Sequence, residues 1–313
     1  MNIARSCALS SPLPKKKRKW RAINWMYFVI ALIPIVSFII FNGIPVILSF
    51  VSMFTDMKDN DIFTMQWNGF SNFVEVFQDE KFWKAWGITF WLASAQLVTL
   101  LIALIISVLL NSIKRFANLF QVIFFIPYIC STVAIAIMWK WVFSTNFGIL
   151  NAILGEKIEW LWSVEHPTRL GWAVYITILW QAPAYGIVMF KAALKNVNPS
   201  LYEAASLDGA NGWEKFWHVT MPGIKGVTLF LLLASITNGL AIFDAVTVLA
   251  PVDWNQLAGP GNIALTINYY IYIKGVMQLN MEYASVMSWA LFLVTFFISF
   301  FVIRARNKAT AED

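Results

Sequence analysis

Three groups of polar side chains stand inside otherwise apolar stretches of this 313-residue chain, and they are its candidates for chemistry. Asp244 is the one charged residue of the run 227–250, and the 3.6-residue period sets Thr237 and Thr247 near its face. In 172–194, Thr177, Gln181, Ala184, Tyr185 and Val188 share a face, and Pro183 loosens the helix there. In 284–303, Ser285, Ser288, Trp289 and Phe292 line another. Aromatic faces beside hydrogen-bonding groups suit a sugar, whose CH surfaces stack while its hydroxyls pair. The competing reading is packing, because serine and threonine hold membrane helices together and tryptophan marks the interface. Gln181, Tyr185, Asp244, Thr247, Ser288 and Trp289 are the residues carried forward as pathway candidates.

Bond-making chemistry has no visible machinery. No Gly-Lys dipeptide closes a phosphate loop, and neither HExxH nor GxSxG occurs. His166 and His218 are the only histidines and stand far apart, while Cys7 and Cys130 make no disulfide framework or metal set. Any ATP must be handled by another chain.

The elements that hold these groups follow from composition. Hydrophobic residues make up 59% and charged residues 13% of the chain, against roughly 45–50% and about 25% in soluble domains. Mean hydropathy is +0.65. A helix crosses a bilayer core with about 20 apolar residues. Six such runs occur, at about 25–54, 86–110, 119–143, 172–194, 227–250 and 284–303. Their continuity excludes barrel strands, which are shorter and alternate. The expected fold is all-α, integral to the membrane, with six spans. Pro34, Asn42, Gly43 and Pro45 predict a kink or tilt in the long first run.

Orientation follows from basic flanks, which stay on the cytoplasmic side. With the N terminus inside, sixteen lysines and arginines fall on the cytoplasmic side, in the tail 1–21, at Lys114 and Arg115, at Lys191, Lys195, Lys215 and Lys225, and in the tail from Arg304 on. Six fall outside: Lys58, Lys81, Lys84, Lys157, Arg169 and Lys274. Lys140 stands near the outer end of span three, placed to snorkel. Both termini are expected to be cytoplasmic. The run PKKKRK at 14–19 reads as a topogenic cluster just before a span rather than as a nuclear-import signal. The first span is too long for a signal-peptide core, so no removal is expected.

The long connection after span four carries the most specific pattern. Asn198 before Pro199 reads as a helix start, an N-cap followed by proline at the first turn. This helix stops at Gly209. Asn211 with Glu214 three residues later reads as a capping box for a second short helix, ending before Pro222. Taken alone, the pair suits an interfacial position on the headgroups, with Trp213 and Trp217 at the surface.

Its motif says more. Glu203-Ala204-Ala205, three residues, Gly209, nine residues and Val219-Thr220-Met221-Pro222 resemble the EAA loop of binding-protein-dependent ABC importers, EAA-x3-G-x9-I-x-L-P, with Val219 for isoleucine and Met221 for leucine. Further stretches resemble the carbohydrate-uptake branch, of the sugar and glycerol 3-phosphate type. They are Trp67-Asn68-Gly69-Phe70-Ser71-Asn72-Phe73, Phe124-Phe125-Ile126-Pro127-Tyr128, Trp139-Lys140-Trp141 and Gly259-Pro260-Gly261, with Ala258 where a further glycine is common. The resemblance covers about 20–304.

It implies a type I permease whose loop 198–224 couples to a separate ATPase through Glu203, Ala204, Ala205, Asp208 and Gly209. It implies a second homologous permease in a heterodimer, two ATPase subunits that bind ATP and magnesium, an extracytoplasmic solute-binding protein, and a place in the bacterial cell membrane. No cofactor is expected on this chain and no nucleic acid. The alternative is a stand-alone secondary transporter or channel for a small polar solute, against which stand the lack of an internal repeat and the single buried acid.

Overall fold

The computed structural model describes residues 25–57, 61–113, 115–250 and 256–311. The basic tail 1–21, Lys58 and Lys114 lie outside the described residues. Residues up to Leu48 belong to one compact unit and those from Ser49 to a second.

Helix α1, Trp25–Phe38, opens into a wide π turn, Ile39–Gly43, before α2, Ile44–Ser52. Pro45 explains the widening, since it has no N–H for the Phe41 carbonyl and its ring presses on that carbonyl. Ile44 instead donates to Ile39 across the wider turn. The kink expected of this run therefore takes the form of a π turn.

The second unit begins at the end of α2 and builds a cap over its helices. Strands β1, Thr55–Asp56, and β2, Gln66–Trp67, pair antiparallel, and α3, Ser71–Gln78, follows. Buried Asn72 fastens this cap by donating to the Met53 and Thr55 carbonyls at 3.1 and 2.9 Å. The central helix α4, Glu80–Ser112, starts where the Asp79 carboxylate accepts the Lys81 N–H at 2.9 Å.

Helices α5, Ala117–Ile129, and α6, Thr132–Val142, occupy the run expected as one straight span; they bend by 97°. Pro127 takes one N–H out of the last turn of α5, and Cys130 and Ser131 are extended. After α7, Ile149–Leu154, come α8, Thr168–Gln181, and α9, Pro183–Lys195, which continue each other through a helical Ala182. Next are α10, Pro199–Leu207, and α11, Gly212–Lys215. The second loop helix does not stop before Pro222. It passes through a π turn, Phe216–Thr220, into α12, Met221–Leu240, and Pro222 again stands two residues beyond the widened turn. Helices α13, Asp244–Leu249, and α14, Ile267–Tyr272, lead through a third π turn, Ile273–Met277, to α15, Met281–Ala311.

Among the described residues five helices are long and apolar enough to cross a membrane, and the bent α5–α6 pair supplies a sixth. The fold is an all-α membrane fold. Its core has two parts. One part gathers Phe82, Leu92, Val174, Leu265 and Tyr270, and the other gathers Ala103, Leu110, Ile187, Phe190 and Ile224. Small residues let α4 approach its neighbours closely. A Cβ on Gly186 would lie 2.8 Å from that of Ala103, and one on Gly239 would lie 2.9 Å from that of Ala93.

Candidate functional site

Two places gather the polar groups: a loop outside the spans and a cavity between them. In the loop, the Asn198 side chain accepts the Ser200 N–H at 3.1 Å, with Pro199 at the first turn of α10. The helix closes through Gly209, φ +81°, with Gly209 N–H donating to Ser206 O at 3.2 Å and Ala210 N–H to Ala205 O at 2.9 Å. This double return is a Schellman closure, and its left-handed residue favours glycine. The Asn211 carboxamide oxygen then accepts from Trp213 and Glu214, and Glu214 returns to the Asn211 N–H at 2.7 Å.

Nothing in α10 or α11 is buried. Glu203, Ala204, Asp208 and Gly209 are exposed and Ala205 half-buried. Beside them stand Leu207, 89% exposed, and Trp213, 70% exposed, the latter in ring contact with Phe216 and Trp217. Tyr202 ties α10 to the π turn by a 2.9 Å hydroxyl contact with Thr220. The loop is thus a preformed helical ledge with an apolar and acidic face turned outward.

The cavity, about 460 Å³, lies among α4, α5, α6, α8, α9, α12 and α13. Gln181, Tyr185 and Asp244 line it, together with Gln96, Thr99, Tyr128, Thr132, Ser235 and Asn238. Tyr185 stacks on Tyr128, centroids 5.5 Å apart and planes at 23°. Gln181 reaches the Thr132 hydroxyl at 3.4 Å. Such a lining offers hydrogen bonds and aromatic faces together.

The other candidates stand elsewhere. The single face expected for Thr237, Asp244 and Thr247 is interrupted, because α12 ends at Leu240 and α13 begins at Asp244. The Thr247 hydroxyl turns back to the Asp244 carbonyl and that of Thr237 to Leu233. Thr177 is buried and bonded to Ala173. Ser288 lines a second cavity of about 390 Å³ with Asn268, Tyr272 and Ser285. The Trp289 indole donates to Ser49 Oγ at 3.2 Å and meets Phe50 edge-on.

Sequence reasoning passed over Gln96 and Asn238, although an amide inside an apolar run is the same signal that singled out Gln181. It also passed over Asp79. This carboxylate accepts hydrogen bonds from the hydroxyls of Tyr270 and Tyr283, both buried, while Lys274 lies over the Tyr283 ring at 4.4 Å. Burial alone would raise the Asp79 carboxyl, but those two hydrogen bonds, the Lys81 N–H and the Lys274 charge outweigh it and hold it below the ordinary carboxylate range. Tyr270, buried and facing that carboxylate, is pushed up.

Comparison with known proteins covers nearly the whole chain. The family model described as "Binding-protein-dependent transport system inner membrane component" matches residues 99–310. A probable ABC transporter permease protein, YesP of Bacillus subtilis (strain 168), is 30% identical over 302 residues, 94% of each chain. The lactose transport system permease protein LacF of Rhizobium radiobacter is 31% identical, across 93% of this chain and 97% of that one. In the crystal structure of a bacterial alginate ABC transporter in complex with alginate pentasaccharide-bound periplasmic protein, one chain superposes with a TM-score of 0.77. It is 22% identical, covering 91% of this chain and 95% of that one, a likeness of fold.

Proposed function

Since the chain belongs to the binding-protein-dependent transport system inner membrane components, we propose that it passes a sugar or oligosaccharide through the membrane on delivery by an extracytoplasmic solute-binding protein. It is a multi-pass membrane protein and the permease of an ABC importer, a transport subunit that makes and breaks no bonds. The sugar is supported by LacF, a lactose permease by name, and by the amides and stacked tyrosines of the cavity.

In this reading, α10 and α11 face the cytoplasm, as do both termini, and the ledge receives an ATPase subunit. The carrying observation is the exposure of a helix pair with no buried residue, whose first helix is capped at both ends and whose second is held at its start by a capping box. Such a ledge is rigid before a partner arrives, which lowers the ordering cost of docking. Glu203 and Asp208 offer charges to a basic cleft, Ala204 and Ala205 permit close approach, and Gly209 makes the bend. A second, similar permease supplies the facing ledge. The two ATPases bind ATP and magnesium; their closure opens the cavity outward, and hydrolysis resets it inward. Gln181, Tyr185 and Asp244 contact the passing sugar, while Thr247, Ser288 and Trp289 support the moving helices.

The test is to purify the tagged chain from its own cell with whatever accompanies it, and to reconstitute the assembly with its binding protein. An ATPase and a second permease should copurify, and a saccharide on the binding protein should raise ATP hydrolysis. Proton- or sodium-driven uptake by this chain alone would overturn the reading.

A further inference from the structure

We infer that the cavity selects its cargo by charge, admitting neutral and cationic saccharides and turning back anionic ones such as uronates and sugar phosphates, and that Asp244 sets the preference. The inference deepens the importer reading above and rests on it for the word saccharide. Among the described residues lining the cavity, Asp244 is the single charged side chain; no lysine, arginine or histidine is among them. The remaining polar groups include the amides of Gln96, Gln181 and Asn238 and the stacked Tyr128–Tyr185 pair. These groups replace water around a hydroxyl or stack on a sugar face without asking for charge.

The buried cation of α9 stands apart. Lys191 is not in the lining, and its ammonium donates to Gln121 Oε1 at 2.6 Å. An anion entering this space therefore loses hydration, gains no opposite charge from the described lining, and meets a like charge on α13. Rings of acidic side chains select cations in pores by the same imbalance. The amides are indifferent to the sign of the cargo, so the discrimination falls on one carboxylate.

The charge preference can be read without any sugar. Cys7 and Cys130 are replaced by serine, Ser235→Cys is introduced, and the complete transporter in membrane vesicles is treated with a cationic and an anionic methanethiosulfonate of equal size. The cationic reagent should label about tenfold faster than the anionic one, each rate taken relative to a small free thiol, and Asp244→Asn should bring the ratio close to one. Thr132→Cys repeats the measurement from another helix in case Ser235→Cys does not assemble. A ratio near one, or a ratio that Asp244→Asn leaves unchanged, overturns the inference.

The cargo is then read with neutral di- and trisaccharides and their uronate counterparts, each offered with the binding protein while ATP hydrolysis is followed. Stimulation by neutral members at least about tenfold above uronates supports the inference. Stimulation by uronates alone overturns it and leaves the importer reading standing. No stimulation by any saccharide, with the labelling ratio as expected, overturns the importer reading and the saccharide half of this inference, while the charge preference holds.

Discussion

The exposed ledge of α10 and α11 and the cap of β1, β2 and α3 are held by opposite means. In the ledge every cap bond joins residues two to five apart, and the one longer tie, Tyr202 to Thr220, spans 18. In the cap, Asn72 reaches Met53 and Thr55 across 19 and 17 residues, and the bonds that tie the cap and the neighbouring helix ends to the rest of the fold span far more of the chain. Ile267 N–H meets Thr89, 178 residues away; Tyr270 and Tyr283 meet Asp79 from 191 and 204 away; and Met57 N–H meets Glu282 from 225 away. A region fastened locally keeps its shape while leaving its surface free for another protein. One fastened across the chain joins α3, α4, α14 and α15 and spends its polar groups on itself. Substitutions in the ledge should therefore damage coupling and spare stability, and those in the cap should do the reverse.

The largest separation is expected from Glu203→Lys and Gly209→Val. Each should lower uptake by about tenfold or more, since the first reverses the charge offered to the ATPase and the second forces a β-branched residue into φ > 0. Thermal unfolding in detergent should move little for Glu203→Lys, and a large fall in its melting temperature would break the contrast. Next is Asp79→Ala, which strips two buried hydroxyls of their acceptor. A loss of about 2 kcal/mol is expected, seen as a fall of a few degrees in melting temperature.

Acid sharpens the same point. The Asp79 carboxyl lies below its ordinary value in the folded chain, so its contribution is fully present above the unfolded value of about 3.9 and is lost as pH falls through the lower folded value. Melting curves of the wild type and Asp79→Asn should differ at neutral pH and draw together as pH falls below the unfolded carboxylate value and through the lower folded one. The smallest effect belongs to Asn211→Ala, which removes one cap worth about 1 kcal/mol, while Asn211→Gly should cost only a few tenths. Uptake should fall by no more than about threefold for the alanine variant and stay near wild type for the glycine variant.

How much of this was legible follows from the same contrast. Asn198-Pro199, Gly209 and the Asn211–Glu214 box are written in adjacent letters, so both loop helices can be read from the chain. Asp79 cannot, because its partners lie near the other end of the sequence and only folding brings them together. The cavity falls between. Gln181, Tyr185 and Asp244 announce themselves as polar groups in apolar runs, and Gln96 and Asn238 do so equally. Tyr128 and Thr132 join them across the bend at Cys130 and Ser131, inside a run whose apolar character gives no sign of a 97° turn. The π turns were hidden too, although Pro45 and Pro222 each stand two residues past one.

The π turn at 216–220 has one more consequence. Because Phe216–Thr220 absorbs Pro222 without a break, the backbone from 212 to 240 is continuously helical from ledge to cavity wall. At about 1.5 Å per residue, Lys215 and Asn238 sit on one shaft about 35 Å apart. In the proposed coupling, a displacement of the ledge is carried to the polar wall of the cavity along this continuous helix. The helix is interrupted at Ala241–Phe243, immediately before Asp244, so in this reading the movement that drives transport and the charge proposed to screen the cargo meet at the same joint.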